Sequence, residues 1–127
     1  MSATGPRVVG LHHVQIACPP DAEDSLRAFY AGLLGMAEIP KPARLVARGG
    51  CWFAVGDGRE LHCGVEPAFR PARKAHPCFM VDDLDAAARV LRRAGHDVRP
   101  DAEIVGVRRF HTDDPVGNRV EIQQVAD

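Results

Sequence analysis

Two adjacent histidines, His12 and His13, sit in the stretch VVGLHHVQIACPP at residues 8–20, whose apolar residues alternate as they do on a β-strand. Neighbouring side chains on a strand point to opposite faces, so the two imidazoles occupy different surroundings. His12 shares a face with Val14, Ile16 and Cys18, and His13 with Leu11, Gln15 and Ala17. The same parity in ELHCGV sets Leu61, Cys63 and Val65 against Glu60, His62 and Gly64. In RVEIQ, Val120 and Ile122 oppose Arg119, Glu121 and Gln123. If helices cover the apolar faces, then His13, Gln15, His62, His76 and Glu121 line the opposite, concave face. Imidazole nitrogen together with carboxylate oxygen suits a borderline divalent ion such as Zn, Ni, Co, Mn or Fe.

The elements that must position these residues repeat. After the first strand, Leu26, Phe29, Tyr30, Leu33 and Leu34 follow helical spacing behind acidic residues and ahead of Gly35, which predicts an amphipathic helix. VDDLDAAARVLRRAG repeats the device: Asp82 or Asp83 as N-cap, Leu84, Ala87, Ala88 and Leu91 as the buried stripe, Gly95 as terminator. Each helix is preceded by one strand and followed by three, giving two βαβββ modules in a single domain. The first covers about residues 7–66 and the second about 75–126 of the 127, joined by a Pro-bracketed linker near 66–74. GRELH at 58–62 superposes on GNRVE at 117–121, and His13 on His76. A single strand histidine is ordinarily a hydrogen-bonded wall residue. Here the repeat maps His13 onto His76 and His62 onto Glu121, placing four ligand-type side chains at two symmetry-related pairs of positions.

Composition bounds the rest. Apolar residues make up 46% and charged residues 26% of the chain, ordinary globular usage that argues against disorder. The formal net charge of -1 gives no global field for nucleic acid or an anionic membrane, so neither is expected as a partner. The first ten residues lack a signal-peptide core and no run reaches transmembrane length, which makes a cytoplasmic location the expectation. Cys18, Cys51, Cys63 and Cys78 form no CxxC pair and read as buried free thiols. Arg70, Arg73 and Lys74 precede His76, while Arg109 shares strand parity with His111. Such clusters suit a carboxylate, phosphonate or thiol-conjugate substrate. Trp52 stands at the repeat position of His111, so Gln15, Trp52, Arg73, Arg109 and His111 are the candidate substrate-binding residues.

With LHHVQI, FYAGLLGM, HPCFMVDDLDAAARVL and DDPVGNRVEIQQ in view, the chain resembles the vicinal oxygen chelate superfamily, which includes glyoxalase I, bleomycin- and fosfomycin-resistance proteins, methylmalonyl-CoA epimerase and extradiol dioxygenases. The resemblance spans nearly the whole chain and implies an α+β fold in which the two modules form a half-open barrel, usually in a homodimer. It implies His13, His76 and Glu121 as metal ligands, with His62 in the fourth place. In metal-dependent glyoxalase I that place resembles a glutamate involved in proton transfer, so His62 here points away from lactoylglutathione lyase chemistry itself.

Two functions follow as expectations. One is a metal-dependent enzyme on a small oxygen-chelating substrate, of isomerase or lyase type, with Glu121 or His62 moving the proton; dioxygenase and thiol-transferase chemistries are variants of it. The other is a metal-free protein that sequesters a small molecule, as bleomycin-resistance proteins do. The cleft could be completed within one chain or across the dimer.

Overall fold

A computed structural model describes residues 5–126. Eight strands form two four-stranded sheets: β1 His13–Cys18, β2 Ala37–Ile39, β3 Cys51–Ala54 and β4 Glu60–Val65 in the first, β5 Cys78–Val81, β6 Arg99–Asp101, β7 Arg109–Asp113 and β8 Arg119–Gln124 in the second. The strand orders are β1-β4-β3-β2 and β5-β8-β7-β6. In each, the first strand pairs in parallel with the fourth and the other pairings are antiparallel. This is the duplicated βαβββ pattern, an α+β fold whose open sheets make a half-open barrel. Among the described residues no helix is long and apolar enough to cross a membrane.

The two helical segments differ more than their sequences suggest. The second, α2 at Leu84–Arg93, follows expectation: Asp83 caps it by accepting from the Ala86 amide at 3.0 Å, and Leu84, Ala87, Ala88 and Leu91 are buried. Gly95 ends it with φ 90°, a left-handed conformation that glycine adopts without steric cost. The first begins as one α-helical turn, α1 at Glu23–Leu26, and continues as a π-helix over Arg27–Leu33. Phe29 and Tyr30 both lie in the core on this segment. A 3-10 helix at Ala43–Arg48 lies between Pro42 and the Gly49–Gly50 pair, where no hydrophobic period announces it.

One core draws on both sheets and both helices, with Leu26, Phe29, Tyr30, Phe53, Leu61, Leu91, Phe110, Val120 and Ile122 at its centre. A buried polar network crosses between the modules. The Tyr30 hydroxyl donates to Asp114 Oδ2 at 2.7 Å, and Asn118 Nδ2 donates to the Ala17 carbonyl at 2.8 Å. Asp114 also accepts from the amides of Val116 and Asn118, which satisfies a carboxylate inside the core. Cys18, Cys51 and Cys63 are buried free thiols as expected, but Cys78 is exposed. It lies on the edge strand β5, on the face opposite Phe79 and Val81, which pack against the core.

Candidate metal centre

The face of the second sheet opposite Phe110, Val120 and Ile122 gathers ionisable side chains. In the β7–β8 ladder His111 stands directly across from Glu121, and in the β5–β8 ladder Glu121 stands across from Cys78. His76, two residues before Cys78, thereby reaches Glu121, with its Nε2 2.9 Å from Oε1. His111 Nε2 lies 3.4 Å from the same oxygen. The other carboxylate oxygen, Oε2, accepts from Arg109 Nη1 at 3.0 Å, and Arg109 Nη2 is 3.2 Å from Asp101 on β6. Arg109 Nε is buried with no partner among the described residues. Glu121 and His111 are each only 6% exposed.

The hydrogen-bond partners fix the chemistry of these groups. His76 Nδ1 lies 2.7 Å from the Lys74 carbonyl, an oxygen that can only accept, so Nδ1 carries the hydrogen. In neutral His76, Nε2 is then a bare lone pair aimed at a carboxylate lone pair 2.9 Å away, an arrangement that calls for a cation between them or a proton on the ring. Burial, and then the Arg119 charge, pushes the His111 pKa down and favours its neutral form. Burial alone would raise the Glu121 carboxyl, but the contact with His76 Nε2, a donor when its ring proton is in place, and the hydrogen bond and charge of Arg109 outweigh it and bring the pKa down to about 2. Two imidazole nitrogens and an ionised carboxylate oxygen, all within 4.8 Å of one another, match a divalent cation in ligand type. A carbonyl holding the far nitrogen of a histidine is the usual support of such a ligand.

The first sheet is arranged differently. Trp52 and His62, opposite one another across β3 and β4, stack with ring centres 3.7 Å apart and planes parallel, and His62 stacks in turn on His13 at 4.1 Å. His62 is 5% exposed, and its Nε2 is paired with Glu60 Oε1 at 2.9 Å. His13 Nδ1 meets His12 Nδ1 at 3.0 Å. Neither His13 nor His62 belongs to the cluster of His76, His111 and Glu121. His13 and His76 nevertheless border one groove of about 450 Å³, together with Leu11, Glu60, Cys78 and Met80. It adjoins a cavity of about 520 Å³ of mixed lining that includes Leu34, Met36, Phe79, Val81 and Asp82.

The remaining candidates are spread out. Gln15 and Trp52 border a separate small cavity on the first sheet. Arg73 is exposed in the connection between β4 and β5. Arg109 reaches the expected face, but both of its terminal nitrogens are engaged by carboxylates. Asp101 and the ligand-type placement of His111 went unnoticed in the sequence. The β7–β8 register implied by the DDPVGN turn was the available signal for His111, while Asp101 had none, since the pairing of a three-residue strand leaves little trace in sequence.

Residues 10–122 match the sequence profile of the glyoxalase/bleomycin resistance protein/dioxygenase superfamily. The chain belongs to that superfamily. A solved glyoxalase family protein from Bacillus anthracis is 43% identical, with a TM-score of 0.90 over 97% of this chain and 100% of that one. A superfamily glyoxalase/dioxygenase from Nostoc punctiforme is 24% identical with a TM-score of 0.76, covering 98% of this chain and all of its own. The fosfomycin resistance protein FosX from Listeria monocytogenes is 14% identical, with a TM-score of 0.73 over 94% of this chain and 96% of that one. No curated protein matches the chain in sequence. The two more distant likenesses concern the superfamily fold alone.

Proposed function

We propose that the chain is a divalent-metal-dependent enzyme that takes a small, oxygen-chelating substrate and moves a proton beside a carbonyl, chemistry of the isomerase or lyase type. The observation that carries this reading is the convergence of His76 Nε2 and His111 Nε2 on one oxygen of Glu121, at 2.9 and 3.4 Å. His76, His111 and Glu121 would hold the ion, and His13, across the groove, is the remaining candidate ligand. When bound there, a divalent ion supplies Lewis acidity to two neighbouring substrate oxygens and favours an enolate or alkoxide.

The chain's own residues divide the other tasks. Arg109, braced by Asp101, fixes the Glu121 carboxylate through Oε2 and leaves Oε1 facing the histidines. With its pKa held near 2, Glu121 is a good ligand and a weak base. Proton transfer therefore falls to the first-sheet side, to His62 with its partner Glu60 and to His13 stacked upon it. Leu11, Val14, Phe79 and Met80 in the groove give the substrate body an apolar wall. The working unit is proposed to be a homodimer, as the superfamily resemblance implies, with a cytoplasmic location as the sequence leads one to expect.

A second reading has its own support. A proton on His76 would also satisfy its contact with Glu121, and Arg109 already neutralises that carboxylate. The chain would then bind and sequester its small molecule without a metal. Metal analysis of protein prepared without chelator, beside a Glu121→Ala variant, separates the two. Metal in the parent and little in the variant supports the enzyme. Deuterium exchange of the carbon-bound hydrogens of 2-hydroxycarbonyl compounds in D2O, followed by NMR, then tests the proton transfer. No uptake of any of Zn, Ni, Co, Mn or Fe would sink the metal mechanism.

A further inference from the structure

The anion-binding role expected of Arg109 is not available to it, because Glu121 and Asp101 occupy its guanidinium. Free positive charge lies elsewhere. On the first sheet, a cavity of about 200 Å³ opens between the 3-10 helix and the outward face of β1, β3 and β4. Leu45, Trp52 and Val65 supply apolar walls, and Gln15, Lys41 and Arg48 the polar ones. Among the described residues neither Arg48 nor Lys41 is within salt-bridge distance of a carboxylate; the Glu23 carboxylate, which accepts from the Gly50 amide at 2.7 Å, feels the Lys41 charge, while Arg48 has no such neighbour. Lys41 Nζ donates to the Gly49 carbonyl. That bond holds the ammonium at the cavity and leaves two of its three hydrogens for a ligand.

Local sequence builds this cavity. Pro42 and the positive φ of Gly49 and Gly50, 76° and 82°, turn the 3-10 helix back over the sheet. Gly64 has no side chain, and a Cβ there would lie 3.0 Å from the Gln15 amide carbon, so Gln15 can lie low across β4. The result joins an apolar wall to two cations and an amide without a protein partner among the described residues. That combination selects a small organic anion over either an inorganic ion or a neutral apolar molecule.

We propose that this cavity is a binding site for a small carboxylate or phosphonate carrying an apolar body, with Arg48 and Lys41 on the anionic group and Trp52, Leu45 and Val65 against the body. The site uses no residue of the metal centre. It therefore stands or falls separately from the metal reading.

Trp52 is the only tryptophan in the chain, and because it also stacks on His62 a change in its emission is assigned to this cavity by the loss of that change in the Arg48 variant. Chelator-treated protein is titrated with benzoate and with phenylphosphonate, and with benzamide as the neutral analogue. The expected result is a saturable change in emission with at least one anion and a response to benzamide at least tenfold weaker. Arg48→Glu should weaken anion binding about tenfold or more. Arg44→Glu, an exposed change on the same 3-10 helix away from the cavity, should leave it unchanged. Both positions are exposed, and circular dichroism verifies that each variant is folded. No saturable response, equal binding of benzamide, or equal loss in both variants would overturn the proposal. Metal content is measured on separate samples, so an empty metal centre and an empty anion site are distinct outcomes.

Discussion

His111 stands directly across the β7–β8 ladder from Glu121, and its Nε2 lies 3.4 Å from the carboxylate oxygen that His76 also approaches. The second module therefore assembles three ligand-type groups by itself. In the first module the equivalent of His111 is Trp52 and the equivalent of Glu121 is His62, and these two stack instead of converging on a shared point.

Metal content should follow this asymmetry. Protein prepared without chelator is expected to carry about one divalent ion per chain. Substituting His111→Ala or Glu121→Ala should remove most of it, whereas His62→Ala, whose Nε2 is already paired with Glu60, should retain it. Elemental analysis of the three variants beside the parent checks the order.

Acid sensitivity should carry a signature of Glu121. Its carboxyl falls from 4.5 to about 2 on folding. A depressed carboxyl stabilises the fold fully above its unfolded value, and the contribution fades as pH falls from 4.5 toward 2. In chelator-treated protein it amounts to at most about 3 kcal/mol. Urea unfolding between pH 5 and pH 3 should show the parent losing stability faster than Glu121→Gln; parallel curves would contradict the assignment.

Tyr30→Phe should cost about 1–3 kcal/mol, since it strips a donor from a buried carboxylate. Burial raises the Asp114 pKa, so this group favours folding below its unfolded value and loses that contribution as pH rises through its folded value. The missing hydroxyl served the ionised form most, so the penalty should be larger at pH 7 than at pH 4. Denaturant midpoints at the two values measure it.

Gly50 and Gly35 make a matched pair. Both have positive φ, 82° and 75°, but a Cβ on Gly50 would lie 2.1 Å from the Cys63 carbonyl oxygen, whereas one on Gly35 meets nothing within 4 Å. Gly35→Ala should cost about 1 kcal/mol from backbone strain alone. Gly50→Ala must also part β3 from β4 and should cost well over that, as thermal melts of the two variants will show.

The sequence announced this fold through its period-two strands, its capped second helix and its internal repeat, each a local signal that survives without coordinates. The same parity put His13, Gln15, His62, His76 and Glu121 on the concave face opposite the helices, and Arg109 on the parity of His111. It did not reveal which of them meet. The Arg109 bridge between Asp101 and Glu121 depends on pairing β6, three residues long, with β7. The cavity under the 3-10 helix depends on a segment with no hydrophobic period at all. The π-helical winding over Arg27–Leu33 has the same apolar spacing as an ordinary helix, so the spacing alone does not announce it.

Tyr30 finds its partner 84 residues later, and Ala17 is held by a side chain 101 residues away. During synthesis, then, the first half leaves the ribosome with its central hydroxyl and a strand-end carbonyl still answered only by water. It cannot complete its interior until the last hairpin has emerged. A nascent chain stalled before Asp114 should therefore remain open to proteases and chaperones although all four strands of the first sheet have been made, and closure of such long loops sets a slow final step.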